Sequence, residues 1–176
     1  MIEITLTKGY TAIIDDEDAD LTQFEWQALT GDKVYAQRST YKDKTMIRLM
    51  HRIILGRMLG RELQDHEMVD HIHGLTLDNR RAELRLATSA QNTHNTDIGK
   101  ANKSGYKGVS WSKHAKKWRA SICLNSRPVN LGYFDTPLDA HRAYCEAAVE
   151  RDPVFANFGS TSPFKPADFM DQQQAA

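Results

Sequence analysis

The chain has 176 residues, and its 23 Lys and Arg balance 23 Asp and Glu, so the formal net charge is zero. This length suits one medium domain or two small ones. The two cysteines, Cys123 and Cys145, form no CxxC pair, which argues against a zinc ribbon. No apolar run approaches membrane-spanning length and no signal peptide opens the chain, so we expect a soluble, intracellular protein without a membrane partner.

The charges are distributed unevenly. Residues 1–30 carry seven acidic side chains against Lys8, whereas residues 99–135 carry eight basic side chains against Asp135. The basic segment predicts a surface that binds a polyanion. A solvated face that serves only solubility is the alternative on charge alone.

The first third of the chain predicts short strands, a turn and one helix. Strands are expected at Ile2–Leu6, Tyr10–Ile14, Lys33–Arg38 and Thr45–Leu49. An acidic run leads into Leu21–Trp26, which predicts a short helix or a turn. Between Met50 and Gly60 the apolar residues follow helical spacing, and Gly60 is a suitable end for that helix.

The middle of the chain predicts a hairpin followed by a helix. Met68–Ile72 and Leu84–Ala87 have the composition of two strands joined by a long loop. Thr88 or Ser89 is a suitable N-cap for a short helix through Asn95. Residues 96–104 contain Gly, Lys, Asn and Ser, which is typical of a linker.

The rear of the chain predicts a separate sheet and helix. Three strands are expected at Tyr106–Trp111, Trp118–Leu124 and Pro128–Phe134. Thr136 and Pro137 suit the N-cap and first position of a helix that ends at Asp152. Alternation predicts that one set of side chains faces this helix: Val109, Trp118, Ala120, Ile122, Leu131 and Tyr133. Residues 161–176 predict a disordered tail.

One short motif carries chemistry. Asp70 and His71 are adjacent, Gly74 follows in a turn, and the amide of Asn92 comes about twenty residues later. A carboxylate and an amide oxygen can hold a hard divalent cation, and the neighbouring imidazole can accept a proton from water. Read singly, Asp70 is a turn residue, Asn92 an exposed helix residue and His71 a structural histidine, but the combination predicts a site that cuts phosphodiesters.

At these residues the chain resembles the HNH nucleases, in particular the homing endonucleases of phages and introns. The resemblance implies a ββα-metal fold in which Asp70 and Asn92 hold Mg²⁺ or Mn²⁺ and His71 is the general base. Related enzymes have an Asn twelve residues after the base, to orient its ring, and here that position is Glu83. Glu83 could orient the ring and raise its pKa, Asn79 could take over, or the site could be impaired.

The same resemblance implies phosphate contacts around the motif. The pair His51-Arg52 matches a His-Arg pair upstream of the metal fold, where Arg52 holds a phosphate or braces the site. A pair on a helix surface is the alternative. Arginine can bind phosphate through two nitrogens, which makes three more residues candidate partners of the phosphodiester: Arg80, Arg81 and Arg85.

The rear segment resembles the APETALA2-type DNA-binding domain. The residues that carry the resemblance are Tyr106–Val109, Lys117–Ala120, Leu131–Phe134, Ala140, Ala143 and Tyr144. The resemblance implies a three-stranded sheet that enters the DNA major groove with the helix packed behind it. Candidate contacts to bases or phosphates are Lys107, Ser110, Lys113, Lys116, Lys117, Arg119, Ser121, Arg127 and Asn130. Ser110 and Cys123 stand where plant members have arginines, so we expect modest sequence discrimination.

The sequence as a whole predicts an α+β chain with four parts. Residues 1–95 form a β-rich region with the HNH fold, 96–104 the linker, 105–160 the APETALA2-type domain and 161–176 the tail. The predicted function is metal-dependent nicking of double-stranded DNA by a monomer or weak dimer, in a bacterial host cytoplasm if a phage encodes the chain. The alternative is a catalytically impaired DNA-binding protein.

Overall fold

The computed structural model describes residues 1–40, 43–99 and 101–170, without the side chains of residues 40 and 43–47. It separates into two compact units, Met1–Asn92 and Thr93–Ala176. Both contain helices and antiparallel sheets, which agrees with the predicted α+β class. No helix in the described ranges combines the length and apolar character needed to cross a membrane.

The first unit begins with a hairpin and a second sheet. Strands β1 (Ile2–Thr5) and β2 (Thr11–Ile14) pair antiparallel around a turn in which Lys8 and Gly9 have positive φ. A 3₁₀ helix spans Asp16–Gln23, so it begins before the short helix or turn expected at Leu21–Trp26 and overlaps its first residues. Strands β3 (Gln27–Thr30), β4 (Val34–Thr40) and β5 (Asp43–Leu49) form an antiparallel sheet in that order. The sequence analysis missed β3, which has only four residues and one buried side chain.

A helix and a second hairpin complete the first unit. Helix α1 spans Met50–Leu59 and ends at Gly60, whose φ of 66° is the left-handed conformation expected of a helix stop. Strands β6 (Met68–His71) and β7 (Leu84–Ala87) form the predicted hairpin. Helix α2 (Ser89–His94) follows, so the order strand, loop, strand, helix is present. Leu21, Met50 and Ile54 are among the fully buried residues of a core shared by these elements.

The start of α2 is closed by a reciprocal cap. The backbone nitrogen of Gln91 donates to Thr88 Oγ1 at 3.2 Å, and the backbone nitrogen of Thr88 donates to Gln91 Oε1 at 3.0 Å. This is the capping box that a Thr followed three residues later by Gln predicts.

The second unit is a three-stranded sheet with a helix on one face. Strands β8 (Val109–Ser112), β9 (Lys117–Leu124) and β10 (Arg127–Phe134) pair in that order. Helix α3 spans Pro137–Arg151, and its N-cap Thr136 accepts a hydrogen bond from the Asp139 nitrogen, as predicted. Ala140 and Ala148 are fully buried, so the small side chains let α3 lie close to the sheet.

One predicted inward residue is wrong. Tyr133 is 47 % exposed, because the register shifts at Leu131 between Asn130 and Gly132. The extra residue of this bulge turns Tyr133 to the outer face of the sheet, opposite Arg119. Strict alternation cannot anticipate a bulge.

The segments that flank the sheet and helix are folded against the second unit. Phe155 and Phe158 are buried, and Phe169, on the short helix α4 (Ala167–Met170), is 7 % exposed. The structure therefore differs from the expected disorder over residues 161–170, because aromatic residues in that segment contact the core. Residues 171–176 of the expected tail, and Lys100 of the expected linker, lie outside the described residues.

Candidate functional site

Asp70 and His71 lie side by side at the end of β6, and both are buried, with 3 % and 5 % exposure. Asp70 faces Arg85 across the hairpin, and the Arg85 Nε donates to Asp70 Oδ2 at 2.7 Å. A buried carboxylate needs a partner of this kind, because an uncompensated charge away from water is costly. Arg85 therefore contacts the carboxylate that the sequence predicts to be a metal ligand.

His71 belongs to a cluster of three rings. The ring centroids of His51 and His71 are 5.3 Å apart in an edge-on arrangement, and Tyr35 is 5.3 Å from His51 and 6.2 Å from His71. Strand β4 supplies Tyr35, helix α1 supplies His51 and strand β6 supplies His71. The packing of these three elements therefore fixes the orientation of the candidate base.

The cluster keeps its imidazoles neutral. Burial lowers the pKa of His71, and this is opposed by an interaction with the Asn79 side chain and by the charge of Asp70. Burial, with the charges of His71 and Arg52, lowers the pKa of His51 to about 3. Burial and the charge of Asp70 raise the pKa of Tyr35. A neutral imidazole is the form that can accept a proton.

The amide beside the imidazole is Asn79, which is 1 % exposed and donates from Nδ2 to the Leu77 carbonyl at 3.1 Å. Glu83 pairs instead with His73, whose Nδ1 lies 2.6 Å from Glu83 Oε2. Glu83 is thus engaged with His73, whereas the Asn79 side chain interacts with His71.

The two predicted metal ligands, Asp70 and Asn92, lie on β6 and α2. Asn92 is half-buried in α2, where its backbone nitrogen donates to the Thr88 carbonyl at 3.0 Å. Within the described ranges, no three His, Cys, Asp or Glu side chains are grouped as a metal site would group them. The predicted donor pair Asp70 and Asn92 contains only one residue of those four types.

The other arginines near the motif are bound within the first unit. Arg52 donates to the carbonyls of Glu67 and Gln64 at 2.7 and 3.0 Å, which is the bracing role considered for it. Arg80 Nε donates to Asp78 at 2.8 Å. Arg81 Nε donates at 2.9 Å to Asp18, which has no exposed surface. The Arg81 contact holds the loop between β6 and β7 against the acidic 3₁₀ helix.

The candidate DNA-reading residues occupy the outer face of the second unit's sheet. Ser110, Arg119 and Tyr133 form one row across β8, β9 and β10, and Ser121 pairs with Asn130 in the next. Of these five residues Ser121 is half-buried and the others are exposed. Because α3 covers the opposite face, this row is open to a large ligand.

The predicted lysines have different surroundings. Lys113 and Lys116 are exposed at the turn between β8 and β9, and Lys117 lies 3.0 Å from Asp135. Arg127 is exposed where β10 begins. Lys107 is the exception, because its Nζ donates to the carbonyls of His94 and Thr96 at 2.7 and 2.6 Å, and burial lowers its pKa to about 8. It lies before β8 and ties a flanking segment to the unit, so a structural role accompanies the predicted DNA contact.

Sequence reasoning missed Tyr35, which carries no motif. His51 was noted only as the neighbour of Arg52. The sequence could have indicated that His51 is buried, because this histidine lies among the apolar residues of α1. Its contact with His71 could be seen only once the elements were packed.

Comparison with known proteins identifies part of the second unit. Residues 104–152 match the family model of the AP2 domain. This confirms the APETALA2-type resemblance and supports DNA binding by the second unit.

The chain is also 39 % identical over 63 residues to Protein 3.8 of Escherichia phage T7. Those residues are 36 % of this chain and 52 % of Protein 3.8, so the chain spans about half the length of that relative. No solved structure matches the chain.

Proposed function

We propose that the chain is a metal-dependent endonuclease that nicks double-stranded DNA, with a nuclease centre in the first unit and DNA binding by the second. The observation that carries the nuclease part is the burial of Asp70 and His71 side by side, with Asn79 against the imidazole. The AP2 match supports the DNA-binding part.

The donor set of the first unit fits a hard cation. Asp70 and Asn92 would hold Mg²⁺ or Mn²⁺ through oxygen, as the HNH resemblance implies. When bound, the cation would stabilise the departing oxygen and the charge that develops on the phosphate. Arg85 contacts the same carboxylate, so it holds Asp70 in place and offsets its charge while the cation is absent.

His71 would take the proton from the attacking water. The ring cluster excludes solvent from one side of the imidazole and keeps it neutral near pH 7. Asn79 would orient the ring, since an amide can hydrogen-bond to it without adding charge. The order of these residues along the chain matches the HNH motif at Asp70, His71 and Asn92 but not at Glu83.

The second unit would hold the duplex through its outer sheet face. Arg119 lies at the centre of that face and is the side chain best suited to a guanine or a phosphate. Ser110, Ser121 and Asn130 can hydrogen-bond to base edges or phosphates, and the hairpin lysines supply affinity that falls with salt.

A DNA-binding protein without cleavage is the second candidate. It is favoured by two contacts: Asp70 already forms an ion pair with Arg85, and Glu83 is engaged with His73. In this candidate the first unit would be a scaffold, and its divalent-cation site would be lost.

Nicking of supercoiled plasmid DNA separates the two candidates. We expect nicking by the wild type with Mg²⁺ or Mn²⁺, none with chelator, and none by His71→Ala. The control is His73→Ala, which removes an exposed imidazole two residues away and should leave nicking intact. Absence of nicking on DNA that the wild type retains in a gel-shift assay would favour the second candidate.

A further inference from the structure

The first unit contains an arginine-lined cavity outside the proposed centre. A cavity of about 580 Å³ lies along α1 and the loop that follows it. We call it the arginine groove, and its charged lining residues are Arg48, Arg52, Arg57, Arg61, Glu62 and Asp65. Close carboxylates neutralise Arg57 and Arg61, so Arg48 and Arg52 carry the positive charge that the groove can offer to an anion.

Two arginines beside the groove repel one another. Arg38 and Arg48 are directly opposite across β4 and β5, and like charges in that position are destabilising. The Arg38 guanidinium lies 3.7 Å from the centroid of the Phe24 ring, so an aromatic face holds it in place. Burial and the charges of Arg48 and Arg57 lower the pKa of Arg38.

The charge of Arg48 is weakly compensated. Its Nη1 lies 3.8 Å from Glu62 Oε1, and the Glu62 side chain is 90 % exposed, so water screens the attraction. Arg57 and Arg61, in contrast, form close ion pairs with Asp20 and Glu67, at 2.6 and 2.7 Å. Arg48 is therefore the groove residue best able to engage an added anion.

The arginine groove adjoins the candidate centre through Arg52. This side chain lines the groove and also donates to the carbonyls of Gln64 and Glu67, just before β6. The preceding residue, His51, packs against His71. A polyanion that reaches His71 would thus meet Arg48 and Arg52 on the same unit.

We propose that the arginine groove binds the phosphodiester backbone of duplex DNA, an inference that rests on the proposed DNA-binding function. The groove would supply contacts to phosphate alone, through guanidiniums that can pair with phosphate oxygens. DNA binding would then involve both units of the chain.

The test is duplex-DNA binding by the full chain, measured by fluorescence anisotropy over a series of salt concentrations. Arg48→Gln should weaken binding and lower the slope of log Kd against log salt by about one. Arg48→Lys, which keeps the charge, should keep the slope. Glu62→Gln should strengthen binding about two- to fivefold, because it removes the competing carboxylate. Misfolding cannot explain a gain of affinity.

The matched control is the pair Arg142 and Glu146 on α3, whose side chains lie 3.4 Å apart and are exposed. Arg142→Gln and Glu146→Gln make the same charge changes on the helix that covers the inner face of the sheet, and they should leave affinity and slope unchanged. If substitutions at Arg142 and Glu146 changed DNA affinity as much as those at Arg48 and Glu62, the net charge of the chain would explain both, and the groove would not be a binding site. If the wild type binds duplex DNA and both Arg48→Gln and Glu62→Gln bind it equally well, the groove proposal is wrong but DNA binding by the chain still holds. Absence of duplex binding by the wild type would overturn the DNA-binding proposal as well.

Discussion

Asn79 reaches the candidate base because another strand holds its loop. The Asn79 nitrogen donates to the Ile13 carbonyl at 2.7 Å, and the Ile13 nitrogen donates to the Leu77 carbonyl at 2.9 Å. Strand β2 thus fixes the chain at residues 77–79 and sets the amide against His71. Glu83 stands at the expected spacing of twelve residues, but it lies at the end of the loop, where it meets His73.

The different surroundings of Asn79 and Glu83 predict different effects on nicking. Asn79→Ala should reduce the single-turnover nicking rate about ten- to a hundredfold, the usual cost of losing a residue that orients a catalytic group. Glu83→Gln should change the rate by only a few-fold, because it alters an exposed pair. Unfolding midpoints of both variants would control for stability. A larger loss of nicking rate in Glu83→Gln than in Asn79→Ala would instead identify Glu83 as the residue that orients His71.

At the scale of the element, the second unit depends on how closely its helix approaches its sheet. Gly108, just before β8, has a φ of 76°, and a Cβ at this position would overlap the ring of Tyr144 on α3. Gly105 has a φ of 78°, but a Cβ there would have no heavy atom within 4 Å. The two glycines share a backbone conformation and differ only in what surrounds them.

Substitution of each glycine by alanine separates backbone strain from packing. Gly105→Ala should cost about 1 kcal/mol of unfolding free energy, through the left-handed backbone alone. Gly108→Ala should cost about 2–4 kcal/mol, since displacement of Tyr144 adds the cost of overpacking. Urea unfolding of the full chain, followed by far-ultraviolet circular dichroism, would measure both. Equal losses would show that Tyr144 moves aside without cost.

At the scale of the whole molecule, both units bury neutral histidines. His51 and His71 are nearly inaccessible in the first unit. In the second, His141 has no exposed surface, and its ring nitrogens lie 3.0 Å from the Lys107 carbonyl and 2.8 Å from Ser162 Oγ. Burial lowers the pKa of each of the three. The fold as a whole therefore favours the unprotonated rings.

This burial predicts a loss of stability in weak acid. The pKa of His51 falls from 6.5 in the unfolded chain to about 3 in the fold, so the unfolded chain binds the proton first as the pH drops. The contribution of neutral His51 to the unfolding free energy is complete above pH 6.5 and is lost progressively as the pH falls toward 3. The His51 ring should cost about 1.4 kcal/mol of unfolding free energy per pH unit within this window.

Urea unfolding at pH 7.5, 6.5 and 5.5 would measure the effect. His51→Gln should show a shallower pH dependence than the wild type, whereas His66→Gln, at an exposed position, should follow the wild type. A wild-type unfolding free energy that is constant between pH 6.5 and 5.5 would contradict neutral burial of the three rings.

The sequence by itself determined the elements and the chemistry that is local in the chain. Helix caps and the adjacency of Asp70 and His71 are set by residues within a few positions of each other, so patterns predict them. The AP2 segment was recognisable for a related reason, because its residues recur at fixed spacing within one short unit.

Tertiary structure alone decided which distant residues meet. It brought Tyr35 and His51 to His71, placed Asn79 in preference to Glu83, and turned Tyr133 outward through a bulge. It also engaged Lys107 with backbone carbonyls and packed Phe169 into the core. Each outcome depends on contacts between elements far apart in the chain, where side-chain volume and the need to pair buried polar groups determine the arrangement.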